Sequence, residues 1–287
     1  MQKILGLVVV LGCVFGGYFA AGGHMIAIWQ PAEIVIILGA GFGAMIIGNP
    51  LHVLKEIAHQ IKGVLSKKNM GADFQRQLLM CLYELLEMVQ NEGLRVLDQH
   101  IEQPEESTVF QKYPLVLKQK RLVTFIADNF RLMAMGKIDA HELEGILDQE
   151  LDTVEEELMA PSRSFQRTAE AMPGFGICAA VLGIIITMQS IDGSIAVIGL
   201  KVASALVGTF LGVFICYCLM DPLANAMEQQ ARAEHSLLEC VRTVLVAQAG
   251  GKPTLLAVDA GRKLLHLASK PTFANLDAWV DAMLERE

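Results

Sequence analysis

Glu33, Asp192 and Lys201 stand near the ends of four long hydrophobic runs, and apart from them no carboxylate, lysine, arginine or histidine lies in those runs. Membrane proteins that move ions usually hold an ionisable group where the ion pauses; here none is expected at mid-depth. What the runs offer instead is small and hydroxyl-bearing residues at helical spacing. Gly176, Ala180, Gly183, Thr187 and Ser190 fall on one stripe of the third run, with Val181, Leu182 and Ile184 to Ile186 turned elsewhere. Ala205, Gly208, Thr209, Gly212 and Cys216 repeat the arrangement in the fourth. Such stripes let backbones approach closely, the device that membrane helices use when packing rather than water drives association. Either stripe alone reads equally as a packing seam or as a partner surface; two in adjacent helices favour a shared interface around a central partner. Ion chemistry would then need a carboxylate borrowed from another subunit.

The other candidates for chemistry do not assemble. His141-Glu142 with Glu144 lacks the second histidine of a zinc-protease helix, and no lysine follows a phosphate-binding glycine loop. Gly39-Ala40-Gly41-Phe42-Gly43 sits inside an apolar helix, without the strand that a nucleotide-binding loop needs. The acidic run Asp148, Glu150, Asp152 and Glu155 to Glu157 has no ligand loop with a turn glycine and reads as a solvated helix face. Four of the six cysteines lie in the apolar runs and the histidines are scattered, which argues against a disulfide framework or a metal site. No catalytic residue, metal or cofactor is expected, so an enzyme is the weakest reading. A formal charge of −8 without a basic patch argues against nucleic acid.

The elements that position these stripes follow from hydropathy. The 287 residues are 53% hydrophobic, concentrated in long runs, which places the chain among membrane proteins. The expected class is all-α, an integral membrane protein with four transmembrane helices and a helical cytoplasmic domain. Residues 1–50 form a first hairpin, with spans at about 4–21 and 32–48. Its start resembles a signal peptide but, with a second run close behind, reads as uncleaved. Gly12 and Gly16, with Gly39 and Gly43, are expected to pack its two helices together. Residues 51–172 are a helical domain. Residues 173–220 form a second hairpin, with spans at about 173–191 and 202–220, each able to cross ~30 Å of hydrocarbon. Residues 221–287 are C-terminal helices, and Asp221-Pro222 marks where the fourth span leaves the membrane. Lys3, Lys55, Lys62, Lys67, Lys68, Arg163, Arg167 and Arg232 cluster away from the two short loops, which places both termini and the large insert in the cytoplasm.

Several motifs carry a resemblance: Val10-Leu11-Gly12 with Val14 to Tyr18, Gln30-Pro31-Ala32-Glu33, Pro173-Gly174-Phe175-Gly176, Val207 to Gly212 and Asp221-Pro222-Leu223-Ala224. Over nearly the whole chain the sequence resembles the MotA family of flagellar motor stator proteins, part of the MotA/TolQ/ExbB superfamily of proton channels. The resemblance implies a bacterial inner-membrane protein that self-associates into a ring, thought to be five copies. The ring surrounds a MotB-type partner whose aspartate binds the coupling ion, which supplies the carboxylate absent here. The implied function is an ion channel that turns ion motive force into torque, hence flagellar rotation and chemotaxis.

Residue by residue, Gly176, Ala180, Gly183, Thr187, Ala205, Gly208, Thr209 and Gly212 would face the partner and the ion path. Thr209 matches a hydroxyl position facing the partner aspartate, although a back-bond to its own helix is as good a reading. Ala180 falls where sodium-driven relatives place a threonine; with no oxygen to offer sodium, it favours proton coupling. Pro173 and Pro222 match two prolines that would couple partner protonation to movement, although helix termination alone would explain Pro222. Contact with the rotor switch protein FliG would fall to Asp98. The family's basic position is filled by Gln90, for which Arg95 is a substitute. Two other readings stay open: an ExbB- or TolQ-like energiser of outer-membrane processes, which the initial hairpin disfavours, and a non-conducting membrane scaffold.

Overall fold

The computed structural model describes residues 2–66, 71–135, 138–189, 195–267 and 269–285; Lys67, Lys68, Ser190, Ile191 and Asp192 of the sequence reading lie outside them. The described residues form helices and no strand. They are α1 (Gln2–Ala20), α2 (Met25–Ile28), α3 (Pro31–Gly48), α4 (Leu51–Leu65), α5 (Ala72–Glu92), α6 (Asp98–Ile101), α7 (Thr108–Lys112), α8 (Pro114–Leu117) and α9 (Lys120–Ala134). The long α10 (Ala140–Met188), α11 (Ile195–Phe214), α12 (Asp221–Ala249), α13 (Thr254–Arg262) and α14 (Phe273–Leu284) follow. The chain divides into two compact units: Met1–Lys67 with Met159–Gln230, and Lys68–Leu158 with Ala231–Glu287.

The first unit holds the apolar helices, and four helical stretches in the chain are long and apolar enough to cross a membrane. Pro31 opens α3, where its missing N–H costs nothing, and Asn49 closes it by donating from Nδ2 to the Met45 carbonyl at 2.7 Å. The buried face of α3 is Glu33, Ile37 and Gly41, four residues apart. Ile37 packs with Ala169, Met172, Ala179, Leu211 and Cys216. A second cluster sets Ile57 and Val64 of α4 with Phe165, Ala224 and Met227. Outward on the spans stand Val35, Phe42, Ile185, Leu206 and Val213, as expected where the surroundings are lipid or another chain.

Three expectations change here. Gly12, Gly16, Gly39 and Gly43 do not pack α1 on α3: a β-carbon at any of them meets nothing within 4 Å. Gly41 is the close glycine instead, lying against Met172, because the 33-37-41 face is the one turned inward. The first helix meets α11 through the edge of Phe15 on Phe214, with ring centroids 5.3 Å apart.

The second change concerns Pro173. It does not begin a helix, because α10 runs for 49 residues through both Pro161 and Pro173. Each proline removes one i→i−4 bond without ending the helix, since tertiary packing on both sides holds the flanking turns. The third concerns Pro222, which does not terminate its helix. Residues Ile215–Met220 widen into a π-helical turn, in which the Asp221 N–H donates to the carbonyl of Cys216, five residues back. The chain then continues as α12, with Pro222 in its first turn. A proline has no N–H for the carbonyl four residues back, and a π turn just ahead of it accommodates the altered register.

The second unit is a bundle of amphipathic helices around one large core. Leu78, Leu79, Leu82, Leu85 and Leu86 of α5 meet Phe110, Phe125, Ile126 and Phe130, together with Leu143, Leu147, Val241, Val244 and Leu245. Gly93, at φ +83°, ends α5 in the left-handed region where a glycine is favoured. Ser107 caps α7 by accepting from the Phe110 N–H at 3.2 Å. Asp139 accepts from the His141 and Glu142 backbone N–H groups ahead of α10, and these bonds, that to Glu142 foremost, hold its carboxyl below the usual range.

Candidate functional site

The two long apolar helices of the first unit meet along their small residues. A β-carbon on Gly176 would lie 2.7 Å from the Gly208 carbonyl oxygen and 3.1 Å from the Gly212 α-carbon. One on Gly212 would stand 2.6 Å from the Met172 carbonyl and 2.9 Å from the Gly176 α-carbon. These are backbone-to-backbone contacts, which only glycine permits. Further along, Gly183 lies beside Ala205, and Gly208 beside Ala179 and the Ala180 amide nitrogen.

Six of the eight residues read from the sequence, Gly176, Ala180, Gly183, Ala205, Gly208 and Gly212, meet in one seam between α10 and α11 of the same chain. Gly176, Ala180, Thr187, Ala205, Gly208 and Gly212 are buried, while Gly183 and Thr209 keep partial exposure. The Thr187 hydroxyl bonds back to the Gly183 carbonyl at 2.8 Å, so it satisfies its own helix. Ala180 offers the seam a methyl group and no oxygen ligand.

One residue in the seam was not foreseen. Glu33 sits in the first turn of α3, yet its side chain is only 6% exposed. Its carboxyl reaches between the two glycines: a β-carbon on Gly208 would be 2.9 Å from Oε2, and one on Gly183 3.3 Å from Oε1. Oε2 is buried without a hydrogen-bond partner among the described residues. Position along its own helix made Glu33 an entrance residue. Across the bundle it lies opposite Gly208, which comes thirteen residues after the start of α11, ~20 Å along the axis. Glu33 does stand at the entrance of its helix, as the sequence places it; what the structure adds is that its carboxyl is turned into the seam. The usable signal was Glu33 standing on the same 33-37-41 stripe as the buried residues.

At the far end of the seam Pro173 is half-buried and Pro222 exposed, and Gln166 of α10 donates to Asp221 Oδ1 at 2.6 Å, tying α10 to the start of α12. In the second unit Asp98 and Arg95 are exposed, on α6 and on the 3-10 turn Leu94–Leu97 before it. Gln90 belongs to α5, separated from them by the break at Gly93, and its Oε1 accepts from the Thr254 hydroxyl at 2.7 Å. No group of three metal-ligating side chains occurs among the described residues.

Four helical stretches long and apolar enough to cross a membrane, two of them joined along a glycine seam, with an amphipathic helical unit, define the class as a multi-span membrane protein. The comparisons agree. Residues 4–93 match the family model described as Motility protein A N-terminal, and residues 118–240 that of the MotA/TolQ/ExbB proton channel family. The chain is similar to the Chemotaxis protein LafT of Vibrio parahaemolyticus, 56% identical over 98% of both chains. It is 36% identical to Motility protein A of Salmonella typhimurium, over 99% of this chain and 96% of the relative. In fold it is similar to the solved Campylobacter jejuni (C. jejuni) MotAB, with TM-score 0.74 and 16% identity over 93% of this chain and 96% of that one. The flagellar MotAB stator complex of Bacillus subtilis gives 0.69 and 20% over 92% and 94%. The chain belongs to the MotA family.

Proposed function

We propose that this chain is the torque-transmitting subunit of a bacterial flagellar stator, forming an ion channel with a MotB-type partner. The observation that carries the reading is the end-to-end similarity to LafT and Motility protein A, and the glycine seam of this chain fits it. The α10–α11 pair, fixed by the contacts of Gly176, Gly208 and Gly212, forms the wall against which the partner helix packs in a ring of copies. Gly183, Thr187, Ala180, Ala205 and Thr209 set the shape of that wall beside the partner's ion-binding aspartate.

Each charge that crosses the membrane brings ~2.3 kcal/mol per 100 mV. Protonation and release at the partner aspartate alter its fit on the wall, and the ring steps around it. Ala180 supports proton over sodium coupling, since its own side chain has no oxygen for a partly dehydrated sodium ion. The distribution of Lys and Arg supports a cytoplasmic position for both termini and for the residues between the two hairpins, in the inner membrane. Pro173 and Pro222, each without the N–H that would bond four residues back, are the joints through which the seam's movement reaches the second unit, on the two helices that the Gln166–Asp221 bond ties. Asp98 and Arg95 are its contacts to the rotor switch protein; Gln90 is engaged with Thr254 and contributes less.

The test is genetic and biochemical together. Deleting the gene should abolish the swimming or swarming driven by its motor, with flagella still assembled, and the chain should co-purify with a single-span partner bearing a membrane aspartate. Normal motility after deletion, with no such partner recovered, would leave the scaffold reading in its place.

A further inference from the structure

Glu33 is the one buried carboxyl of the first unit among the described residues, and the stator reading gives it no task. Its surroundings are unlike those of a structural ion pair. The carboxyl lies against Gly183 and Gly208, and neither brings a cation or a side-chain donor. In the apolar stretch of α10 after Pro173 the ionisable side chain is Cys178, in α11 it is Lys201, itself engaged, and His24 stands ahead of α2. A structural carboxyl would have been matched with a donor, because an unmatched one is costly in so apolar a site. The Glu33 carboxyl itself occupies the room that β-carbons on the two glycines would fill. A buried acid without a hydrogen-bond partner on Oε2 among the described residues, held between the two helices that the stator reading sets beside the ion path, is placed to exchange protons with water.

We propose that Glu33 is a proton-exchange station owned by this chain, relaying protons from its place between Gly183 and Gly208 to the partner's membrane carboxylate. The O–H bond of the Glu33 acid breaks as one forms on the partner's carboxylate. The Glu33 carboxylate left behind takes its next proton from hydronium on the side of α2, releasing water, so one proton moves and nothing is oxidised. The proposal rests on the stator reading and adds a second titratable site to the path.

The experiment uses the intact complex with its partner, reconstituted in vesicles that contain a pH-sensitive dye, at a series of external pH values. Glu33→Gln keeps size and polarity and removes the proton; Glu33→Asp keeps the proton. With equal amounts of assembled complex, Glu33→Gln is expected to lower proton flux about tenfold or more and to flatten its dependence on external pH, while Glu33→Asp retains that dependence. Parent flux and an unchanged pH profile in Glu33→Gln overturn the proposal. So does a loss of assembled complex in both variants with flux per complex unchanged, since Glu33 would then be a packing strut. The unsubstituted chain with the partner's aspartate changed to asparagine is the control: flux that persists there, or is absent from the parent complex, counts against the stator reading itself.

Discussion

The seam of the first unit and the core of the second are both helix-on-helix packing, yet they use opposite residues. The core is filled by leucine and phenylalanine, whose burial each contributes ~1.5–3 kcal/mol by removing apolar area from water. The seam is made by what is missing, with Gly176 against Gly208 and Gly212 and nothing but backbone between the helices. Among lipid tails a large side chain gains little from leaving the surroundings, so close approach replaces volume. The two regions should therefore fail in opposite directions, the core by truncation and the seam by addition.

The largest effect is expected at the seam's tightest point. Gly212→Leu would drive a side chain into the Met172 carbonyl and the Gly176 backbone, which cannot yield, and should abolish both complex assembly and motility, read by gel filtration and swimming rings. Next comes truncation of the core: Phe110→Ala, at a fully buried site, should cost about 3–5 kcal/mol, seen as a lowered unfolding midpoint of the purified complex. Gly183→Ala separates packing from electrostatics. Its methyl would stand 3.2 Å from the Ala205 β-carbon and 3.3 Å from Glu33 Oε1, tight but not impossible, so assembly should survive with slowed rotation of tethered cells. At the exposed edge, Asp98→Lys should lower torque modestly, because surface pairs contribute only ~0–1 kcal/mol each.

The smallest effect is a pH dependence of the second unit. Burial foremost lowers the His100 pKa, so the unfolded chain binds the proton more readily than the folded one. Its contribution to stability is full above the unfolded value of ~6.5 and falls as pH drops below it. His100→Gln, which can still meet the Ser107 hydroxyl, should reduce that acid sensitivity in melts taken between about pH 5 and 7.

Much of this was legible in the residues. The four apolar stretches, the two stripes and the amphipathic periodicity of α5 and α9 each follow from local spacing, which a linear chain displays openly. What depended on registry between helices was not legible. Glu33 looks terminal along α3 because sequence measures distance from Pro31 and not height against α11. Gly39 and Gly43 form as good a small-residue pattern as any, yet the inward face is set two residues away by Glu33, Ile37 and Gly41. Pro173 and Pro222 read as boundaries because proline disfavours helix, and only surrounding contacts can hold a helix through it. The engagement of Gln90 with Thr254 joins residues 164 positions apart, a separation no motif spans.

The widened turn at Ile215–Met220 has a consequence for length. A stretch bonded five residues back instead of four carries slack that an ordinary turn lacks, so α11 and α12 need not rotate as a single rod. Deleting one residue there should restore the tighter winding with the downstream helix still in phase, whereas a deletion in the ordinary turns of α11 or α12 turns everything beyond it by about 100° relative to the seam. The hexapeptide is thus the place where the chain can gain or lose a residue while the following helix keeps the face it presents and every side chain in the seam stays untouched.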